Sequence, residues 1–218
     1  MERTRPDAIR DLSRSASMRV PALVDRSEEL VLVAQLRAGD AGAFDVVFAA
    51  YHTRLFNFLL RLSRHRDVAE DLAEETWLRL VAKSSRLQED TRLAPWLFTV
   101  ARNLYASHCR ARLVEDAHAV GLIGLWPAGT PARSPFEEAA ASEADRQLES
   151  ALAGLPGRAR EVLLLVGVEG LTHADAAIVC GISVEALRQR LSRARALLAR
   201  RLDAMNAMAG NVTTEVVP

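Results

Sequence analysis

The sequence predicts an all-α protein: two small helical domains joined by a flexible acidic linker rich in proline and glycine. Three observations predict it. Apolar residues recur at i, i+3 and i+4 along most of the chain, and nowhere do Val, Ile and Thr alternate with polar residues over a strand length. Charge is segregated beneath a net of zero: residues 28–112 carry 12 bases against 11 acids and residues 146–202 nine against five, whereas residues 113–145 carry one arginine against six acids. The acidic stretch also holds Pro127, Pro131, Pro135, Gly121, Gly124 and Gly129, a composition that resists both helix and core. The domains are therefore expected at 28–112 and 146–202, with a linker at 113–145. Residues 1–27 read as a disordered extension and 203–218 as a tail.

Each element has its own signal. Ser27 ahead of Glu28 and Glu29 predicts a helix cap, with Gly39-Asp40 ending that helix near Ala38. From Ala41, the residues Phe44, Val47, Phe48, Tyr51, Leu55, Phe58, Leu59 and Leu62 predict a long amphipathic helix whose aromatics pack in a core. Asp67 with Glu70 reads as a capping box for a helix over 68–84. In it Ala69, Leu72, Thr76 and Leu80 line one side, and Asp71, Glu74, Glu75 and Leu78 form a second stripe, either a solvated face or a docking face for a partner. Arg92 to Arg112 form the next helix, with Pro95 in its first turn. Leu97, Ala101, Leu104 and His108 share one face; Thr99, Asn103, Ala106 and Arg110 share the opposite one, with Trp96 and Phe98 as aromatic surface. Aromatics, Asn and Arg on an exposed helix suit unstacked bases and phosphates.

The last block is the most informative. Pro156 starts a helix through Val162-Leu163-Leu164-Leu165-Val166, ended by Gly167 and Gly170. Thr172 caps a short helix with Asp175 at its third position, Gly181 lies where a left-handed residue is needed, and Ser183 caps the final helix. This is a helix-turn-helix. In the final helix Leu187, Leu191, Ala194 and Leu198 face inward, which turns Arg188, Gln189, Ser192 and Arg193 outward with Arg190 and Arg195 on the flanks. Arginine can pair with guanine edges or phosphates, and glutamine with adenine, in a major groove.

Other classes are excluded on composition and spacing. Of the 28 basic residues only Lys83 is a lysine, and a net charge of zero excludes a uniformly basic coat protein. No apolar run approaches ~18 residues and no apolar signal segment is present, so a cytoplasmic chain without membrane insertion is expected. Cys109 and Cys180 cannot build a disulfide framework or a four-ligand zinc site and read as reduced thiols, a redox pair across two domains being the weaker alternative. There is no glycine-rich phosphate loop, no metal-ligand spacing and no nucleophile–base pattern among His52, His65, His108, His118 and His173, so neither enzyme activity nor a cofactor is expected.

Five strings carry a family resemblance. They are Leu36-Arg37-Ala38-Gly39-Asp40-Ala41-Gly42-Ala43-Phe44, Ala69-Glu70-Asp71-Leu72-Ala73-Glu74-Glu75-Thr76-Trp77-Leu78, Pro95-Trp96-Leu97-Phe98-Thr99-Val100-Ala101-Arg102-Asn103, Glu169-Gly170-Leu171-Thr172, and Leu187-Arg188-Gln189-Arg190-Leu191-Ser192-Arg193-Ala194-Arg195. In this order the chain resembles the extracytoplasmic-function branch of the bacterial sigma-70 family, residues 28–112 being similar to sigma domain 2 and 146–202 to sigma domain 4. The resemblance implies a chain that joins RNA polymerase core and directs it to promoters of a stress or envelope-response regulon. It implies docking on the clamp helices of the largest subunit through Asp71, Glu74, Glu75 and Leu78, and contact with the flap of the second-largest subunit. It implies opening of the −10 element by Arg92, Trp96, Thr99, Arg102, Asn103 and Arg110, and duplex −35 reading by Arg188, Gln189, Arg190, Ser192, Arg193 and Arg195. An anti-sigma protein is the family's usual control. The chain departs from the pattern at Glu74, where Gln is common, at Ala176, where a larger aliphatic is usual, and at His108 and Cys109. The competing reading is an independent helix-turn-helix regulator with an N-terminal sensing domain, which would need a pocket with convergent polar groups.

Overall fold

The computed structural model describes residues 25–119 and 142–212; side chains are described only to Arg112 in the first segment and to Ala207 in the second. Among the described residues all regular structure is helical. The order is α1 (Arg26–Arg37), α2 (Ala41–Ser63), α3 (Arg66–Lys83), a 3₁₀ turn, α4 (Leu93–Ala119), α5 (Glu143–Ala153), α6 (Gly157–Leu163) running into a π-helical turn, α7 (His173–Cys180) and α8 (Val184–Val212). Of the disordered extension expected over 1–27, residues 1–24 lie outside the described residues, as does most of the expected linker, whereas Asp25, Arg26 and Ser27 form the cap and first turn of α1.

The first four helices make one bundle. Asp25, not Ser27, caps α1: its carboxylate accepts from the Arg26 N–H at 2.8 Å and it closes a capping box with Glu28. Gly39 takes φ +82°, which the turn requires, and Asp40 caps α2 through the Gly42 N–H at 2.7 Å. Along α2, Val47, Tyr51, Leu55, Phe58, Leu59 and Leu62 are buried as their periodicity predicts, but Phe48 is 36% exposed and joins the surface instead. Arg64 ends α2 in the left-handed region at φ 65°. The expected capping box at the start of α3 is absent: the helix begins at Arg66, and its cap residue His65 makes no side-chain bond. Glu29 compensates at the next junction. It is buried at 7%, accepts from Arg26 at 2.7 Å, and receives the Leu93 N–H at 2.7 Å, so a carboxylate from α1 caps α4.

The core face of α4 is Leu93, Leu97, Phe98, Ala101, Tyr105 and Cys109. Phe98, expected on the surface, is fully buried and meets Phe58 edge to face at 5.2 Å. Leu104 and His108 are only half-buried, so the true core stripe is turned by one residue. α4 also continues past Arg112 to Ala119.

The second unit is held by α6, α7 and α8 around Val162, Leu164, Leu165, Leu187, Leu191 and Leu198. Its caps are those expected: Thr172 accepts from Asp175 N–H at 3.1 Å, Gly181 takes φ 65°, and Ser183 Oγ accepts from Ala186 N–H at 3.1 Å. The apolar run after Pro156 does not stop at Gly167 but continues as a π-helical turn to Val168. α5 falls where the sequence predicts the end of the linker and the start of the second domain; Ser142 and Asp145 form its capping box. α8 extends to Val212, beyond Leu202. Arg160, 4% exposed, ties this unit together by donating to the carbonyls of Leu152, Ala153 and Leu155 at 3.0, 2.6 and 3.0 Å. Burial pulls its guanidinium down to about 10.

Candidate nucleic-acid and partner interface

Three surfaces carry the residues singled out in the sequence. The first is α8. Leu187, Leu191, Ala194 and Leu198 are 0–3% exposed, while Arg188, Gln189, Ser192, Arg193 and Arg195 are exposed and Arg190 is half-buried. The seam of aliphatics fixes the rotation of the helix, so the opposite face is polar and basic. An ion pair on that face, Arg188 with Glu185 at 3.7 Å, joins two exposed side chains and constrains little.

The second surface is α4. Arg92, Asn103 and Arg110 are exposed; Trp96, Thr99 and Arg102 are half-buried. Arg102 lies beside Asn103, whose side-chain oxygen accepts from it at 3.3 Å, and Arg110 donates to Ser107 at 2.9 Å. Arg92 and Arg102 are also engaged by carboxylates of the second unit, Asp175 and Glu161. Those two acids carry no signal of recognition in the sequence. Their partners are 83 and 59 residues away, beyond any local pattern.

The third is α3. Asp71, Glu74 and Leu78 are exposed, Leu78 at 56%; Glu75 is half-buried and pairs with Arg79 at 2.7 Å. The stripe borders a groove of about 450 Å³ that sequence reasoning missed, floored by Phe44, Phe48, His52 and Trp77 and edged by Val81. Phe48 stacks on His52 at 4.4 Å and leans on Trp77 at 4.8 Å. Trp77 is buried, and its indole N–H has no hydrogen-bond partner among the described residues. A signal for the groove exists in the sequence: Phe44, Phe48 and His52 recur every four residues along α2, and Trp77 adjoins the acidic stripe.

Neither thiol is poised to react. Both cysteines are buried; burial raises Cys109 and pushes Cys180 up to about 12, with the Glu161 carboxylate adding to it. No cluster of potential metal ligands is found among the described residues. Nor, among them, is any helix long and apolar enough to cross a membrane.

Comparison with known proteins decides between the two readings left open by the sequence. Residues 47–115 match the model of Sigma-70 region 2, and residues 145–198 match Sigma-70, region 4. The chain belongs to the extracytoplasmic-function branch of the sigma-70 family. It is 36% identical over 141 residues to the ECF RNA polymerase sigma factor EcfG of Rhodopseudomonas palustris, covering 65% of this chain and 75% of that one. It is 33% identical to the RNA polymerase sigma factor CarQ of Myxococcus xanthus, covering 73% of this chain and 88% of that one. The structure resembles the sigma factor RpoE from Bartonella quintana, solved with the anti-sigma factor NepR, at a TM-score of 0.55 and 29% identity, over 81% of this chain and 95% of that one. It shares the fold of CnrH, solved with the cytosolic domain of CnrY, at a TM-score of 0.60, 24% identity and the same 81% of this chain, with 97% of that one. A sigma factor is an initiation factor and not an enzyme: it acts with RNA polymerase at specific promoters. The first domain of this sigma factor is thus a sigma-70 region 2 module, and a separate sensing domain is not favoured.

Proposed function

We propose that this sigma factor divides its work among the three surfaces. α8 enters the major groove of the −35 element through Arg188, Gln189, Arg190, Ser192, Arg193 and Arg195. α4 engages the opened −10 element through Arg92, Trp96, Thr99, Arg102, Asn103 and Arg110. The α3 stripe of Asp71, Glu74, Glu75 and Leu78, with the aromatic groove beside it, docks on the clamp helices of the largest polymerase subunit. The second domain lies against the flap of the second-largest subunit. The domains proposed are 28–112 and 146–202, and the regulon one of stress or envelope response in the cytoplasm.

The observation that carries this reading is the sorting of α8, with four aliphatics buried and five of the six proposed recognition residues exposed. An Arg pair to a guanine edge is worth ~1–3 kcal/mol of discrimination, so single substitutions on this face should change promoter choice without unfolding the domain. For α3, an apolar groove rimmed by carboxylates suits a helical partner with basic and aliphatic residues. Because RpoE was solved with the anti-sigma factor NepR, an anti-sigma protein is proposed here too. The test is reconstitution: core polymerase alone, core with the chain, and core with Arg188→Ala, transcribing fragmented genomic DNA with start sites mapped. The chain should create new starts, and Arg188→Ala should redistribute them. Identical starts from both proteins would remove Arg188 from promoter recognition.

A further inference from the structure

Where α5 ends, arginines from three other elements meet. Arg64 closes α2, Arg160 lies in α6 and Arg201 in α8. Arg64 Nη1 donates to the Ala153 carbonyl at 3.1 Å, and Arg160 Nη2 donates to the same oxygen at 2.6 Å. The third guanidinium lies on the next residue: a Cβ on Gly154 would stand 2.0 Å from Arg201 Cζ. Three positive charges thus surround the Ala153–Gly154 peptide. None of them is paired with a carboxylate among the described residues; Glu149, on α5, is held by Arg61 at 2.8 Å. None belongs to the three surfaces proposed above for polymerase and promoter.

Capping accounts for only part of this arrangement. Carbonyls at a helix C-terminus attract cations, but Arg160 alone already serves Leu152, Ala153 and Leu155. Arg64 Nε is buried with no hydrogen-bond partner among the described residues. Like charges gathered this closely repel, so the set is short of both negative charge and acceptors. Burial and the Arg201 charge lower the Arg64 guanidinium from its ordinary value, and burial and the Arg64 charge do the same to Arg160. Arg160 is 4% exposed, whereas Gly154 and Arg201 open to solvent and leave a way in.

We propose that Arg64, Arg160 and Arg201 form a binding site for a small phosphate-bearing anion about the size of a diphosphate. A guanidinium presents a fork of N–H donors that matches phosphate oxygens. The charges converge on one peptide instead of following a line, which suits a compact anion and not a nucleic-acid backbone. A diphosphate beside Gly154 meets the fork of Arg201 and lies in the field of Arg64 and Arg160, so it ties the end of α2 to α6 and α8. Gly154 has φ −83°, which any residue adopts; what its missing side chain supplies is room for Arg201.

The test titrates inorganic pyrophosphate into the full chain at fixed ionic strength, read by calorimetry and by melting temperature. Adenosine diphosphate and guanosine diphosphate form parallel arms. One anion should bind per chain, saturably, and raise the melting temperature. Arg201→Gln removes the solvent-side fork, and Gly154→Ala pushes Arg201 aside without removing charge. Each should weaken pyrophosphate about tenfold, the size expected for one lost charged hydrogen bond. Arg200→Gln removes the same charge from the exposed neighbouring residue and should change affinity less than twofold. Both arginines are exposed, so the ligand-free melts should match that of the parent chain. Pyrophosphate bound as tightly as the nucleotides assigns the site to free phosphate, and tighter nucleotide binding assigns it to a nucleotide; both uphold the site. No saturable binding at millimolar pyrophosphate, equal weakening by Arg200→Gln and Arg201→Gln, or full affinity in Gly154→Ala each overturns the proposal.

Discussion

Leu187 and Arg188 are neighbours in the chain yet point about 100° apart on α8, one into the core and one to solvent. Their substitutions should therefore separate stability from recognition. Leu187→Ala opens a cavity and should cost ~2–5 kcal/mol, read as a lower melting temperature, with DNA binding weakened only through partial unfolding. Arg188→Ala should leave the melt nearly unchanged while lowering −35 discrimination roughly five- to a hundredfold. A sharp drop in melting temperature with intact discrimination would mean that the helix faces are rotated. The cysteines make a second residue-scale test. With Cys180 near 12, about one part in ten thousand is thiolate at pH 8, so native protein should alkylate orders of magnitude more slowly than denatured protein. Mass spectrometry showing rapid native labelling at Cys180 would revive a redox role.

Among the helices, α3 and the α1–α4 junction make opposite predictions. Glu74→Arg reverses an exposed charge beside the aromatic groove and should weaken core binding at least tenfold with little change in stability. It is cleaner than Glu75→Arg, which would also unpair Arg79. Unchanged core affinity would move the docking face elsewhere. Glu29→Ala should do the reverse: it uncaps α4 and leaves Leu93 N–H without its acceptor, at about 2 kcal/mol, seen in chemical denaturation as a lower midpoint. The same helices show what a sequence makes legible. Leu187, Leu191 and Ala194 can be placed from sequence because Arg188, Arg190, Ser192, Arg193 and Arg195 beside them fix the phase of the stripe, and Leu198 follows in register. Phe98 cannot, because Trp96-Leu97-Phe98 is apolar on all sides and offers no polar face to choose by. Glu29 looks like an ordinary first-turn acid; only the approach of α4 makes it a cap. The groove at Phe48 and Trp77 needs two helices to form, so α2 read alone places Phe48 in the core.

For the whole molecule, a net charge of zero conceals arginine-rich surfaces set against acids elsewhere. The all-helical fold and the outward basic face of α8 can be read from composition and period. The mating of the domains cannot, because Arg54 and Glu169 lie 115 residues apart and each looks like a solvated charge locally. Backbone affinity follows the number of phosphates neutralised, so the free chain, with surpluses of only one base over residues 28–112 and four over 146–202, should bind promoter DNA weakly at physiological salt. The most direct measurement is the mapping of transcript 5′ ends produced on genomic DNA by core polymerase with and without the chain. The predicted result is a set of starts found only with the chain, sharing one sequence string near −35 and another near −10. No chain-dependent starts, together with tight sequence-specific duplex binding by the chain without core, would contradict it.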